Sequence, residues 1–324
     1  LEVVLDGEKA GLWTARTTGD GGDIYALIAA HLGIDVLNDF PRVLDAAADL
    51  IDLRYARELP FEPAGPGAER RQALLERRAE LGVRSAPLAP PTPHAKRPDL
   101  GHGSRRVGVD AGVTPAGDPS LGLHARLTLH DLADPADGYP DYAALEFLPI
   151  SARVVRAPGR TWLQLDDAQL VRITSLSPLT DLEHAASWHV QAGAVTLDDD
   201  GCHRCTAARI SGGGGVALAS AGGGLVGWLT ADAQVVTARG LRGIAERAVR
   251  AGLGPAAGVR ARLSADSAVV VTGEWIWLPA QPTRASYQVA GVVRWRFGHA
   301  LALALAATYA NAGLAAQLGV WAYY

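Results

Sequence analysis

Methionine is absent from this sequence, and lysine and cysteine occur only twice each. With Leu1 at the start and no Met anywhere, the sequence reads as a fragment or a processed product. Its first ten residues carry too much charge to form the apolar core of a secretion signal. Of the thirty basic residues only Lys9 and Lys96 are lysines, and a net charge of -4 leaves no positive footprint for a nucleic-acid partner. Hydrophobic residues make up 48%, yet no run approaches the roughly 18 apolar residues that a transmembrane helix needs. Any membrane contact must therefore come from strands or from the surface. The one cysteine pair, Cys202-His203-Arg204-Cys205, lacks the further ligands of a structural zinc site, and Thr206 after it excludes the haem-attachment pattern. In an oxidising compartment a small disulfide between Cys202 and Cys205, closing a turn between strands, is the expectation. No cofactor and no metal is expected.

The last two hundred or so residues are dominated by period-two alternation. Leu121, Leu123, Ala125, Leu127 and Leu129 alternate with Gly122, His124, Arg126, Thr128 and His130. The same holds for Val259, Ala261 and Leu263 against Arg260 and Arg262, and for Val293, Trp295 and Phe297 against Arg294 and Arg296. Successive side chains of a strand point to opposite faces, so each run has one dry and one polar face. Strands are expected near 119–131, 143–156, 161–175, 185–197, 205–219, 223–238, 242–252, 256–264, 266–278, 285–297, 299–309 and 312–324. Residues 1–84 read as helical, with helices near 24–32 (capped by Asp23), from Pro41, and over 70–81. Five prolines between Ser85 and Pro98 make the stretch 85–103 a stiff linker, which leaves 104–324 as the β-domain.

Strands of ten or more residues in meander order suit an antiparallel up-and-down β-barrel of about twelve strands, of the outer-membrane type. Leu301 to Ala306 alternates large and small apolar groups, as lipid-facing and lumen-facing positions would. Trp275, Trp277, Trp295, Trp321, Tyr323 and Tyr324 near strand ends suggest interfacial girdles. Alternation does not distinguish a dry outside from a dry inside, so a soluble, intracellular β-sandwich binding module stands as the other architecture.

Chemistry is sparser. His130-Asp131-Leu132-Ala133-Asp134 could bind a cation or serve acid–base catalysis, which makes His130, Asp131 and Asp134 the catalytic candidates. The preferred reading of this segment is a loop in which Asp side chains cap backbone N–H groups and Asp137-Gly138 turns the chain. Gly212–Gly215 and Gly222–Gly224 match no phosphate-loop pattern, and Ser175 and Ser177, with His184 and His189 downstream, lack a nucleophile elbow. His31 reads as a packed helix residue.

Several segments together resemble a family of bacterial envelope proteins, the Lnb type, some of whose members are linked to N-acylation of lipoproteins. They are Pro93-His94, Leu100 to Ser104, His130-Asp131-Leu132 with Asp134-Pro135 and Gly138-Tyr139, Ser175 to Pro178, Ser187-Trp188, and Cys202 with Cys205. The resemblance covers roughly 85–324 and implies a C-terminal barrel-like domain behind a papain-like catalytic domain. It also implies membrane lipid and a lipoprotein substrate as partners, and the bacterial envelope, the outer membrane in particular, as the location. The family's Asn-Cys-Ser/Thr motif would fall near Gly22-Asp23-Ile24-Tyr25, where there is no cysteine, so no nucleophile carries over and enzymatic activity stays open. A non-catalytic membrane anchor is the first expectation. The alternative is an outer-membrane channel or lipid-binding barrel, with Arg126, Arg260, Arg262, Arg294 and Arg296 lining a polar lumen.

Overall fold

The computed structural model describes residues 2–3, 12–14, 21–23, 40–56, 59, 64–82, 101–135, 138–180, 184–199, 202–239, 241, 248–279 and 284–324. Two compact units divide the chain, Leu1–Thr92 and Pro93–Tyr324. In the first, short strands β1 (Glu2–Val3), β2 (Leu12–Thr14) and β3 (Gly21–Asp23) form an antiparallel sheet. Helices α1 (Phe40–Arg54) and α2 (Pro66–Glu80) follow. Pro41 sits in the first turn of α1, where its missing N–H costs nothing, and Val43, Leu44 and Ala47 form the buried stripe of that helix. Arg71–Asp52 (2.6 Å) and Arg78–Asp45 (2.9 Å) tie the two helices together. The second helix starts at Pro66 rather than at Arg70, because Pro at the first turn initiates it. The helix expected at 24–32 and most of the linker lie outside the described residues.

The second unit is a closed antiparallel β-barrel. Its strands are β4 (Arg106–Val113), β5 (Pro119–Arg126), β6 (Thr128–His130), β7 (Ala143–Phe147), β8 (Ile150–Ala157), β9 (Arg160–Ser175) and β10 (Ser187–Asp199). They continue through β11 (Cys202–Ala219), β12 (Leu225–Thr237), β13 (Val249–Ser264), β14 (Ser267–Trp277), β15 (Ala285–Phe297), β16 (Leu301–Ala310) and β17 (Gly313–Tyr323). β6 pairs with β7 while β5 pairs with β8, so β5 with β6 and β7 with β8 each form one broken wall strand, and the fourteen strands make twelve staves. The second break lies at Leu148-Pro149, with Leu148 at φ 48°. β17 closes on β4 from Ala316↔Val113 to Tyr323↔Arg106. Because the number of staves is even, the wall begins and ends at one rim, where Arg105 and Tyr324 exchange backbone hydrogen bonds of 3.1 and 3.0 Å.

The expected count of twelve is reached by a different route. β4 escapes a sequence reading although Val107, Val109, Ala111 and Val113 alternate with Gly108, Asp110 and Gly112, because two glycines and an aspartate on one face resemble turn residues. The segments expected at 242–252 and 256–264 share a single strand, β13, whose Gly252, Gly254 and Pro255 mimic a turn. Residues 242–247 lie outside the described residues.

Burial is inverted relative to a soluble protein. Leu121, Leu123, Leu301 and Leu305 lie exposed on the outer face, whereas Arg126, Arg260 and Arg294 are 1%, 2% and 5% exposed inside. A sandwich with an apolar core is thereby replaced by a barrel with an apolar outside. Trp275, Trp277, Trp295 and Tyr324 do face outward, but Trp321 and Tyr323 face inward, because the register that puts Val320 and Tyr324 outside turns these two into the lumen. Gly122 and Gly213 make room there: a Cβ at either would collide with the carboxylate of Asp110 or Asp232 on the neighbouring strand.

Candidate functional site

Residues 131–135 and 138–142, between β6 and β7, fold into the barrel mouth at the rim where the wall begins and ends. Their own sequence makes the first turn. The Asp131 carboxylate accepts from the Ala133 and Asp134 amides at 2.8 and 2.9 Å, the Asp134 carboxylate accepts from the Asp131 amide at 2.9 Å, and Gly138 takes a positive φ of 81°. Apolar packing completes the fit: Leu132 and Tyr142 lie against Leu176, Ala217 and Val226 on the inner wall.

Two carboxylates then meet three guanidinium groups. Arg106 Nη1 donates to Asp131 Oδ2 (2.5 Å) and Asp134 Oδ1 (2.9 Å), and Arg126 Nη1 donates to Asp134 Oδ2 (2.6 Å). Arg294 Nη1 donates to Asp131 Oδ1 at 2.7 Å and also to Asp134, which further accepts from the Tyr323 hydroxyl at 2.7 Å. From the far wall, Arg260 Nε donates to the Leu132 carbonyl (2.7 Å), and Arg262 pairs with Asp141. Trp321 lies under Arg106 and Arg294, its ring 4.5 and 5.5 Å from their guanidinium carbons. The His102 ring packs between Tyr139 and Tyr323 at 4.6 and 4.4 Å. Burial alone would raise the Asp131 carboxyl, but Arg294, Arg106 and Arg126 outweigh it and hold it well below the usual carboxylate range. Asp134 is also held low, its arginine partners overcoming burial and the neighbouring Asp131 charge. Burial pushes His102 down, towards the neutral ring.

The structure places the three sequence candidates as follows. Asp131 and Asp134 are counter-ions of a clamp. His130 donates from Nε2 to the Ala143 carbonyl (2.7 Å) and packs on Tyr139. Both the capping role and a second role in gripping the wall are present at once. Among the described residues no group of three His, Cys, Asp or Glu side chains is placed to hold a metal ion. Arg126, Arg260, Arg262 and Arg294 gather here, while Arg296 lies apart, held by Asp266 (2.8 Å). The sequence reading missed Arg106, Asp141, Tyr323 and Glu146, a buried β7 carboxylate 3.1 Å from Arg172 and 3.6 Å from Arg126. Arg106 carried a usable signal, since it opens the alternation with Val107 and Val109.

Further ion pairs line the inner wall, among them Arg153–Asp166 (2.7 Å), Arg172–Asp167 (2.8 Å) and Arg250–Asp199 (2.5 Å), and the rings of His189 and His124 contact Asp232 (3.1 Å) and Asp110. Ser177 lies just beyond β9, its amide donating to Ser187 Oγ (2.9 Å), and His184 is exposed. Cys202 and Cys205 lie on β11 with Cα atoms 5.8 Å apart and their sulfurs within bonding reach. Three extended residues would span about 10 Å, and the bulge that opposes Cys202–Cys205 to Leu197–Asp199 shortens the distance.

The chain belongs to the family described as a domain of unknown function, DUF7840, whose model matches residues 95–323. No curated protein sequence matches it. Among solved structures it is similar to the KdgM porin, with 8% identity, a TM-score of 0.36, and coverage of 68% of this chain and 99% of that one. It is also similar to the NanC porin, with 9% identity, a TM-score of 0.39, and coverage of 67% and 99%. An outer membrane channel from Pseudomonas putida F1 gives 11% identity, a TM-score of 0.39, and coverage of 72% and 100%. At these identities and scores no property passes from those proteins to this chain.

Proposed function

We propose that this DUF7840 family member spans a bacterial outer membrane as a barrel and that its lumen is a channel held shut at one rim by the 131–142 loop. The observation that carries this reading is the inverted burial, with leucine, valine and tryptophan outside and arginine and aspartate inside. On β15, outward Tyr287 and Phe297 stand ten positions apart. At about 3.3 Å per residue and a tilt of about 40°, that span is about 25 Å, the height of the apolar band of outer-membrane barrels. Twelve staves about 4.8 Å apart at that tilt enclose a cylinder roughly 24 Å across, wider than wall side chains alone can fill. A loop entering the mouth is what such a lumen needs in order to be shut.

The test takes the full chain refolded into detergent, with a detergent-free control. The expected result is a boil-sensitive mobility shift seen only in detergent, low conductance in planar bilayers, and higher conductance once the loop is shortened. A protein that stays soluble and monomeric without detergent ends the membrane reading. The second reading is a closed anchor that holds an envelope acyltransferase domain near lipid and lipoprotein. It is favoured by the number of staves (those of β4, β5, β13, β15 and β17) that grip the loop. Conductance that stays low after loop shortening selects it.

A further inference from the structure

The outer wall carries a feature that neither a channel nor an anchor requires. A groove of about 500 Å³ runs over β17, β4, β5 and β8, almost wholly apolar, with Ala125, Ala152 and Ala322 lining it among the larger Val109, Leu123 and Ile150. The register sets these residues in two neighbouring rows, Val320–Val109–Leu123–Ala152 and Ala322–Val107–Ala125–Ile150. The next row towards the rim holds Arg105 and Tyr324, joined through their backbones and both exposed. Arg105 shares the outward register of Val107 and Val109, so a cation stands at the head of an apolar trough, beside an aromatic residue of the girdle.

We propose that this groove seats one acyl chain of an anionic phospholipid, whose headgroup meets the Arg105 guanidinium. The inference rests on the membrane-spanning reading. The alanines leave a depression in an otherwise bulky leucine and valine surface that a flexible chain can fill. Arg105 then supplies the charge that selects an anionic over a zwitterionic headgroup. No covalent step is involved.

The experiment is native mass spectrometry of the full chain released from micelles that contain dioleoyl phosphatidylglycerol and dioleoyl phosphatidylcholine in equal amounts. Wild type is expected to retain one phosphatidylglycerol. Ala152→Leu, alone and with Ala125→Leu, fills the groove and should abolish the adduct. Arg105→Gln should keep lipid binding but reduce the preference for phosphatidylglycerol roughly fivefold, about 1 kcal/mol for one basic side chain near the headgroups. The boil-sensitive shift, run on every variant, separates a barrel that has not folded from one that has lost its lipid, and its absence in wild type would count against the membrane reading instead. A folded wild type that retains no lipid, or an adduct unchanged in the alanine variants, overturns the proposal. So does a dimer mass that Ala152→Leu abolishes, since the groove would then be a contact between copies.

Discussion

Asp134 is the residue on which the mouth of the barrel turns. It is fully buried and accepts from Arg106, Arg126, Arg294 and Tyr323, so removing its charge leaves three guanidinium groups to Asp131 and the more distant Glu146. Asp134→Asn is expected to weaken the detergent-refolded protein by roughly 3–5 kcal/mol, the usual cost of orphaning a buried ion pair, read from its guanidinium unfolding midpoint. The same variant should raise conductance if the loop is the gate. His102 contributes to the pH response of this site. Burial holds its folded pKa below the ordinary value, so the unfolded chain binds the extra proton first as pH falls through about 6.5. The stability tied to the neutral ring is present above that pH and is lost below it, towards the folded pKa. The Asp131 and Asp134 carboxylates, held low by arginine, stay ionised across this window and contribute no change. His102→Phe should therefore flatten part of the fall in melting temperature between pH 7.5 and 5, and an unchanged slope would exclude this ring as its source.

At the scale of elements, period-two alternation was enough to reveal the staves and to say which side chains share a face. It could not say which face is wet. Leu305, midway along β16 and exposed, tests the answer: Leu305→Arg should cost roughly 2–4 kcal/mol near the bilayer midplane, seen as a smaller fraction of heat-modifiable protein. The elements that escaped the sequence reading share one cause. Gly108 in β4 and Gly252 and Gly254 in β13 sit where a neighbouring strand needs space, so they resemble turn residues while lying inside strands. Trp321 and Tyr323 resemble girdle residues because aromatic residues at strand ends usually face lipid; here they brace Arg106 and Asp134. The loop's capping turns were legible because their partners are two or three residues away. Its grip on the wall was not, because the partners lie far along the chain.

At the scale of the molecule, that distance sets an order of assembly. Asp134 reaches Arg126 across 8 residues and Arg106 across 28, but Arg294 across 160 and Tyr323 across 189. Contacts between such distant partners form late, since the closure entropy of the intervening chain is met first. The early staves can thus bring the loop close to its place, its two carboxylates held by Arg106 and Arg126 but without the Arg294 guanidinium and the Tyr323 hydroxyl until β15 and β17 arrive. A barrel that stalls before its last stave lacks the Tyr323 hydroxyl on Asp134 and the Trp321 ring under Arg106 and Arg294. On the proposed reading of the loop as a gate, the clamp works as a completion check: it is complete only in molecules whose first and last staves have found each other.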